Sequence, residues 1–271
     1  ERINEVLNAE KPDLVMFTGD VIYGKPAEKS MRTVLEQVSK RKIPFALTFG
    51  NHDDEQGLSR EELLKIIQRI PYSLTSTTKG ISGTTNFILP VKASDGQKDA
   101  EILYSYSQIK EVGGYDYIDF DQIQWYREHS SQYTQVNGGT PVPSLAFFHI
   151  PLPEYNQAAA DENAALFGTR KEKACAPALN SGLFTAMKEM GDIEGVFVGH
   201  DHDNDYAVMW QGILLAYGRY TGGNTVYNNL SNGARVIELT EGEKGFRTWI
   251  RVKGHTEQHV KFPESFLKPN K

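Results

Sequence analysis

Ile3, Val6 and Leu7 fall at helical spacing in the opening stretch RINEVLNAE, so residues 2–10 read as the end of an amphipathic helix that Pro12 stops. Residues 14–17 (LVMF) are a short apolar run ending in Thr-Gly-Asp, the pattern of a buried parallel strand. Met31, Val34, Leu35 and Val38 then mark one face of a second helix over residues 28–41. Residues 44–49 form the next apolar strand, followed by Gly-Asn-His-Asp. Ser59 with Glu62 three residues later is a capping box, and it predicts a third helix. Strands alternating with helices indicate parallel pairing and an α/β beginning.

The pattern changes over residues 74–118. Thr, Ser, Gly and Tyr dominate, and NFILPV and ILYSYSQI alternate in polarity, which predicts antiparallel strands and hairpins. A helix is expected from Asp121 to Tyr133, and a buried strand over residues 143–149. Residues 151–178 show weak periodicity and read as an extended loop over the site. Residues 180–190 predict a helix, and Val196-Phe197-Val198 a strand running into Gly-His-Asp-His. AVMW, ILLAY, ARVIEL and FRTWIRV predict short strands to the end. The first and last thirds are both strand-rich, so two packed sheets with helices outside are expected. No repeat, low-complexity tract or linker divides residues 1–271, which read as a single domain.

Composition narrows the function classes. A chain of 271 residues with 39% hydrophobic and 24% charged residues is ordinary for a globular protein. Its net charge of −6 argues against a nucleic-acid backbone as partner, because such binders carry a basic excess. No apolar run reaches the ~18 residues of a membrane span. Cys175 is the only cysteine, so no intrachain disulfide is possible, and no neighbouring His flanks it as a nucleophile would require.

Polar clusters sit where the apolar strands end: Gly19-Asp20, Gly50-Asn51-His52-Asp53, His149, and Gly199-His200-Asp201-His202. Ligand sites of α/β folds collect at the carboxyl ends of strands, so these clusters are expected to converge. A carboxylate can bridge two cations, imidazoles bind transition metals well, and an amide oxygen is a ligand without charge. Two cations roughly 3.5–4 Å apart clamp a phosphoryl oxygen and generate hydroxide near neutral pH. Read alone, His149 would pass for a core histidine and Asp20 for a turn residue. The Asp201, Asp203 and Asp205 cluster lacks calcium-loop spacing and reads as loop capping. His129, His255 and His259 read as surface residues, and Glu154, Tyr155 and Asn156 as candidates for the pocket lining.

GD at 19–20, GNHD at 50–53, the lone His149 and GHDH at 199–202 resemble, in order, four of the five motifs of the calcineurin-like metallophosphoesterase superfamily. Gly19-Asp-Val-Ile-Tyr23, FFHIPLPEY (147–155), NSGLFTAM (180–187) and GHDHDNDY (199–206) resemble its single-domain purple acid phosphatase-like branch. The resemblance implies a four-layer αββα sandwich of two mixed sheets flanked by helices, here lacking its first strand. It implies Asp20 as a bridge between two metals, with Asn51, His149 and His200 completing one position. His202, and Tyr23 as a ligand for ferric iron, would serve the other. His52 would contact the phosphoryl group or the leaving oxygen, and Asp53 would orient His52 through a hydrogen bond.

The fifth motif, D-x-H, would precede the opening helix. The chain begins Glu-Arg-Ile-Asn without a Met, so an upstream strand carrying D-x-H is expected in the parent protein. Residues 1–271 would then be N-terminally incomplete, holding one metal or none in place of two. The implied activity is metal-dependent hydrolysis of phosphoesters by a hydroxide generated on Fe, Zn or Mn. Small phosphomonoesters are favoured over phosphodiesters. The alternative is a catalytically inactive phosphatase-like scaffold, whereas no P-loop or G-x-G-x-x-G supports a nucleotide-binding domain. The expected compartment is secreted, periplasmic or cell-envelope rather than cytoplasmic. Oligomeric state and physiological substrate are not readable from the sequence.

Overall fold

The computed structural model describes residues 1–107, 110–111, 114–223 and 229–267. Helix α1 (Arg2–Glu10) ends where Lys11 turns into the left-handed region at φ 48 and returns its N–H to the Leu7 carbonyl. Strand β1 (Val15–Thr18) pairs in parallel with β2 (Phe45–Thr48), and α2 (Ala27–Ser39) crosses between them. The spacing of Met31, Leu35 and Val38 puts all three on the buried face of α2. Helix α3 (Arg60–Gln68) opens on the expected capping box, with Ser59 accepting from the Glu62 N–H and Glu62 accepting from the Ser59 N–H.

A seven-stranded mixed sheet forms the centre. Its strands are β3 (Phe87–Lys92), β4 (Asp99–Ser105), β7 (Ser144–Phe147), β8 (Leu166–Phe167), β9 (Ile193–Val198), β10 (Ala207–Trp210) and β11 (Ile213–Tyr217). They lie in the order β3-β4-β7-β9-β11-β10-β8, parallel from β4 through β11 and antiparallel at both margins. A short hairpin, β5 (Lys110–Glu111) with β6 (Gly114–Tyr115), leads into α4 (Phe120–Val136). Strands β12 (Ala234–Glu238), β13 (Phe246–Val252) and β14 (His255–Phe262) make an antiparallel sheet.

Alternation along the central strands divides the core. Ile102, Tyr104, Ala146 and Val196 pack against Trp125 and Tyr126 of α4 and Met187 of α6 (Leu183–Met190). Leu103, Leu145, Phe147 and Phe197 face the other way, onto Phe246, Val260 and Phe262, with Leu14 and Met16 at the margin. Val15 and Phe17 of β1 point instead toward Met31, Leu35 and Leu63 of the opening helices. The layers therefore run helix, sheet, sheet, helix, as expected.

Several boundaries differ from the sequence reading. Residues 151–178 hold a helix, α5 (Glu154–Ala160), and the two-residue β8 in place of a plain loop. Tyr155 and Ala158 are buried one turn apart on α5, too few apolar positions to register as a period. Helix α4 begins at Phe120 rather than Asp121, because the Asp119 N–H is taken by Gln122 Oε1 at 2.7 Å. Helix α6 begins at Leu183 rather than 180, since the Asn180 side chain accepts the Gly182 N–H. Residues 74–86 form no strand, and hairpins occupy only the later part of the 74–118 segment. Gln108 and Ile109 of ILYSYSQI, and Val112 and Gly113, lie outside the described residues. Strand β14 was not expected. It is an outer strand in which only Val260 and Phe262 are buried, so its polar letters hide its pairing.

Candidate metal centre

The carboxyl ends of β1, β2, β7 and β9 deliver the sequence motifs to one place. Such close approach requires glycine. A Cβ on Gly19, which sits at φ +87, would lie 2.6 Å from both the Gly50 nitrogen and His149 Nδ1. A Cβ on Gly50 would overlap the Asp20 carboxylate. Asp20 itself has φ 49 and His200 φ 72, left-handed conformations that non-glycine residues hold only where the surroundings impose them.

Asp20, His149 and His200 each offer a ligand atom within 4.8 Å of the others. Asp20 Oδ2 lies 3.1 Å from His149 Nε2, and His149 Nε2 lies 3.3 Å from His200 Nδ1. His149 Nδ1 donates to the Thr18 carbonyl at 2.7 Å. That bond fixes the tautomer and leaves the Nε2 lone pair pointing at Asp20 and His200. Three electron-pair donors facing one another need a proton or a cation between them. Asn51 Oδ1 and His200 Nε2 are buried without a hydrogen-bond partner among the described residues. Buried polar atoms are ordinarily satisfied, so the Asn51 oxygen fits a cation as its missing partner, while His200 with a lone pair on Nδ1 carries its hydrogen on Nε2.

The local electrostatics agree. Burial pushes the Asp20 carboxyl up, but the His149 imidazole and the His52 N–H, at 2.9 Å, outweigh it and hold the group well below the usual carboxylate range. Burial, reinforced by His149, pushes the His200 imidazole down to about 3, so it stays neutral with a free lone pair. For His149, burial works against protonation, yet the Asp20 charge and hydrogen bond prevail and raise it.

Asp53 does not orient His52, contrary to expectation. Its Oδ1 accepts the Val21 and Ile22 N–H groups at 2.7 and 3.0 Å, and its Oδ2 accepts the Gly50 N–H at 2.8 Å. It thus staples the Asp20 loop to the Asn51 loop. Burial, and then the Asp20 charge, push the Asp53 carboxyl up to about 6. His52 is oriented by Glu55, whose Oε2 lies 2.8 Å from His52 Nδ1. Glu55→Ala is expected to release the His52 ring from this single orientation; broadened or shifted His52 ring resonances in an NMR spectrum check this.

Other residues fall into place around this centre. Arg60, buried at the start of α3, donates Nη2 to the Gly50 carbonyl at 2.8 Å and lies over the Phe49 ring. His202 is half-buried beside His200 but stands outside the three-residue ligand group. Tyr23 is 63% exposed and lies edge-on to His52, with ring centroids 5.7 Å apart. Asp201 accepts from the Tyr217 hydroxyl and the Cys175 N–H, and Asp205 pairs with Arg219, so both brace loops. Cys175 falls near Glu172 and Asp201; burial, with Asp201, pushes its thiol up to about 12, which suits no nucleophile. Tyr155 is a core residue donating to the Val196 carbonyl at 3.0 Å, and Asn156 ties down Ala174. His255 and His259 are exposed as expected, while His129 is half-buried, its Nδ1 2.8 Å from the Trp125 carbonyl oxygen.

Comparison with known proteins gives this geometry its context. Residues 1–204 match the family model for calcineurin-like phosphoesterases. The chain belongs to the calcineurin-like phosphoesterase family. Among calcineurin-like phosphoesterases, it is 34% identical to "Probable inactive purple acid phosphatase 29" of Arabidopsis thaliana over 93% of this chain and 70% of that protein. It is 33% identical to "Phosphatase DCR2" of Saccharomyces cerevisiae over 99% of this chain and 50% of that protein. The chain thus spans only half the length of the yeast relative. A dimetal phosphatase from Danio rerio shares the fold at a TM-score of 0.64 and 13% identity, over 94% of this chain and 85% of that one. Among the described residues, no helix is long and apolar enough to cross a membrane.

Proposed function

We propose that this chain is the catalytic core of a metal-dependent phosphoester hydrolase acting on small phosphomonoesters. The observation that carries the reading is the convergence of Asp20 Oδ2, His149 Nε2 and His200 Nδ1, with the unsatisfied Asn51 Oδ1 buried nearby. These four residues would hold one cation, with Fe, Zn or Mn all compatible with the nitrogen and oxygen donors. Bound there, the cation supplies Lewis acidity and a nucleophile at neutral pH. Neutral His200 donates its lone pair, and His149 is locked by Thr18 with Nε2 inward. His52, half in solvent and steadied by Glu55, is placed to hydrogen-bond a phosphoryl oxygen or protonate the leaving oxygen.

The second cation position would draw on Asp20, His202 and Tyr23 together with a D-x-H strand. The open edge of β1 supports that reading. Among the described residues β1 pairs with β2 alone, and all four β1 residues are half-exposed, whereas β2 is fully buried. A scaffold without catalysis is the second reading, favoured by the three-member ligand group and by the word "inactive" in the name of the plant relative.

Metal analysis separates the readings. Residues 1–271 dialysed against Zn²⁺ or Mn²⁺ are expected to keep about one ion per chain. Two tightly held ions would mean that Asp20, His202 and Tyr23 suffice for the second position, and none would favour the scaffold. The metal-loaded protein should release phosphate from a phosphomonoester panel faster than it cleaves diesters; the reverse ranking would make it a phosphodiesterase.

A further inference from the structure

We propose that Tyr115 reads the leaving group of the substrate, and that it selects esters whose leaving group presents an uncharged planar ring. This rests on the phosphoester reading above. Tyr115 lies at the end of β6 in the short β5–β6 pairing and is exposed. Its ring stands edge-to-face against the His200 imidazole, with centroids 4.3 Å apart and planes at 83°. It remains 41% exposed, so ring surface is left open to solvent.

An exposed aromatic in van der Waals contact with a metal-ligand candidate is a stacking platform for whatever is attached to the phosphorus. The character of its surroundings sets what it takes. Apart from Asp20, whose charge faces the cation, the carboxylates of Glu172 and Asp201 lie within electrostatic reach of the Tyr115 hydroxyl. A leaving group bearing further negative charge would meet that acidic rim, whereas a neutral aryl or nucleoside ring would not. A second exposed aromatic, Tyr23, stands edge-on to the imidazole of His52, whose backbone N–H is held by Asp20.

The test measures binding without turnover. Titration calorimetry of the Zn²⁺-loaded protein would compare phenylphosphonate, methylphosphonate and inorganic phosphate. Phenylphosphonate is expected to bind roughly threefold to tenfold more tightly than methylphosphonate, the ordinary worth of one aromatic contact. Tyr115→Ala and Tyr115→Leu should bring that ratio close to one with methylphosphonate unchanged, and Tyr115→Phe should preserve it. A ratio near one in the unaltered protein, or one that survives Tyr115→Ala, would overturn the role of Tyr115 and leave the phosphoester site standing. Failure of all three anions to bind would overturn the phosphoester reading and this inference with it.

Discussion

Asp20→Asn is expected to weaken Zn²⁺ binding by about 10²–10³-fold while leaving the fold intact. The substitution keeps size, and asparagine tolerates the left-handed backbone at φ 49 about as well as aspartate does. The amide oxygen can still accept the His52 N–H. What disappears is the charge facing His149 Nε2 and the oxygen that completes the ligand group. Structural zinc sites are worth about 10–16 kcal/mol over roughly four ligands, so one ligand accounts for about 3–4 kcal/mol. Competition with a chromophoric chelator measures the affinity, and a thermal melt of the metal-free protein controls for folding. Retained affinity would remove Asp20 from the site.

Glu101→Gln is expected to stabilise the protein in mild alkali and to flatten its pH dependence. Glu101 lies on β4, only 8% exposed, and its Oε1 has no hydrogen-bond partner among the described residues. Burial, with the nearby Glu194 charge, pushes its carboxyl up to about 8 from an ordinary value near 4.5. The folded state therefore holds a proton that the unfolded chain releases near pH 4.5. The stability that this proton confers is complete below about pH 4.5 and is lost as pH rises through about 8. Over that interval the loss approaches about 5 kcal/mol. Glutamine cannot ionise, so the variant should unfold at higher denaturant concentration than the parent at pH 8.5 and nearly the same at pH 4.5. Parallel pH profiles for the two proteins would refute the assignment.

The parts of the fold that were legible in the sequence are those where burial is one-sided or complete. Strands β7 and β9 read as apolar runs because they are central to the large sheet, β1 and β2 because apolar clusters pack on them, and the chemistry follows each run because strand ends carry the loops. Strand β14 and helix α5 were hidden for the opposite reason: each buries two or three residues among polar ones. The partner of His52 was misread by adjacency. Asp53 is next in sequence but leaves on another side of the chain, whereas the 3-10 turn Asp53–Gln56 brings position 55 back beneath position 52 at three residues per turn. The glutamate in Asp-Asp-Glu-Gln was the available signal. For Tyr115 there was none, because its contact with His200 spans 85 positions and depends on how a hairpin lies over a strand end.

Asp53 has a consequence for anyone who would re-engineer this centre. One side chain fastens Gly50, Val21 and Ile22, so the loop after β1 and the loop after β2 share a clasp at Asp53 beside the His52 N–H bond to Asp20. Neither can be exchanged alone. A graft that brings in a foreign Gly-Asp loop while keeping the resident Gly-Asn-His-Asp must also match three amide directions to the incoming backbone. The exchangeable module is the pair of loops with Asp53 between them, and a sequence designed motif by motif would pull that clasp open.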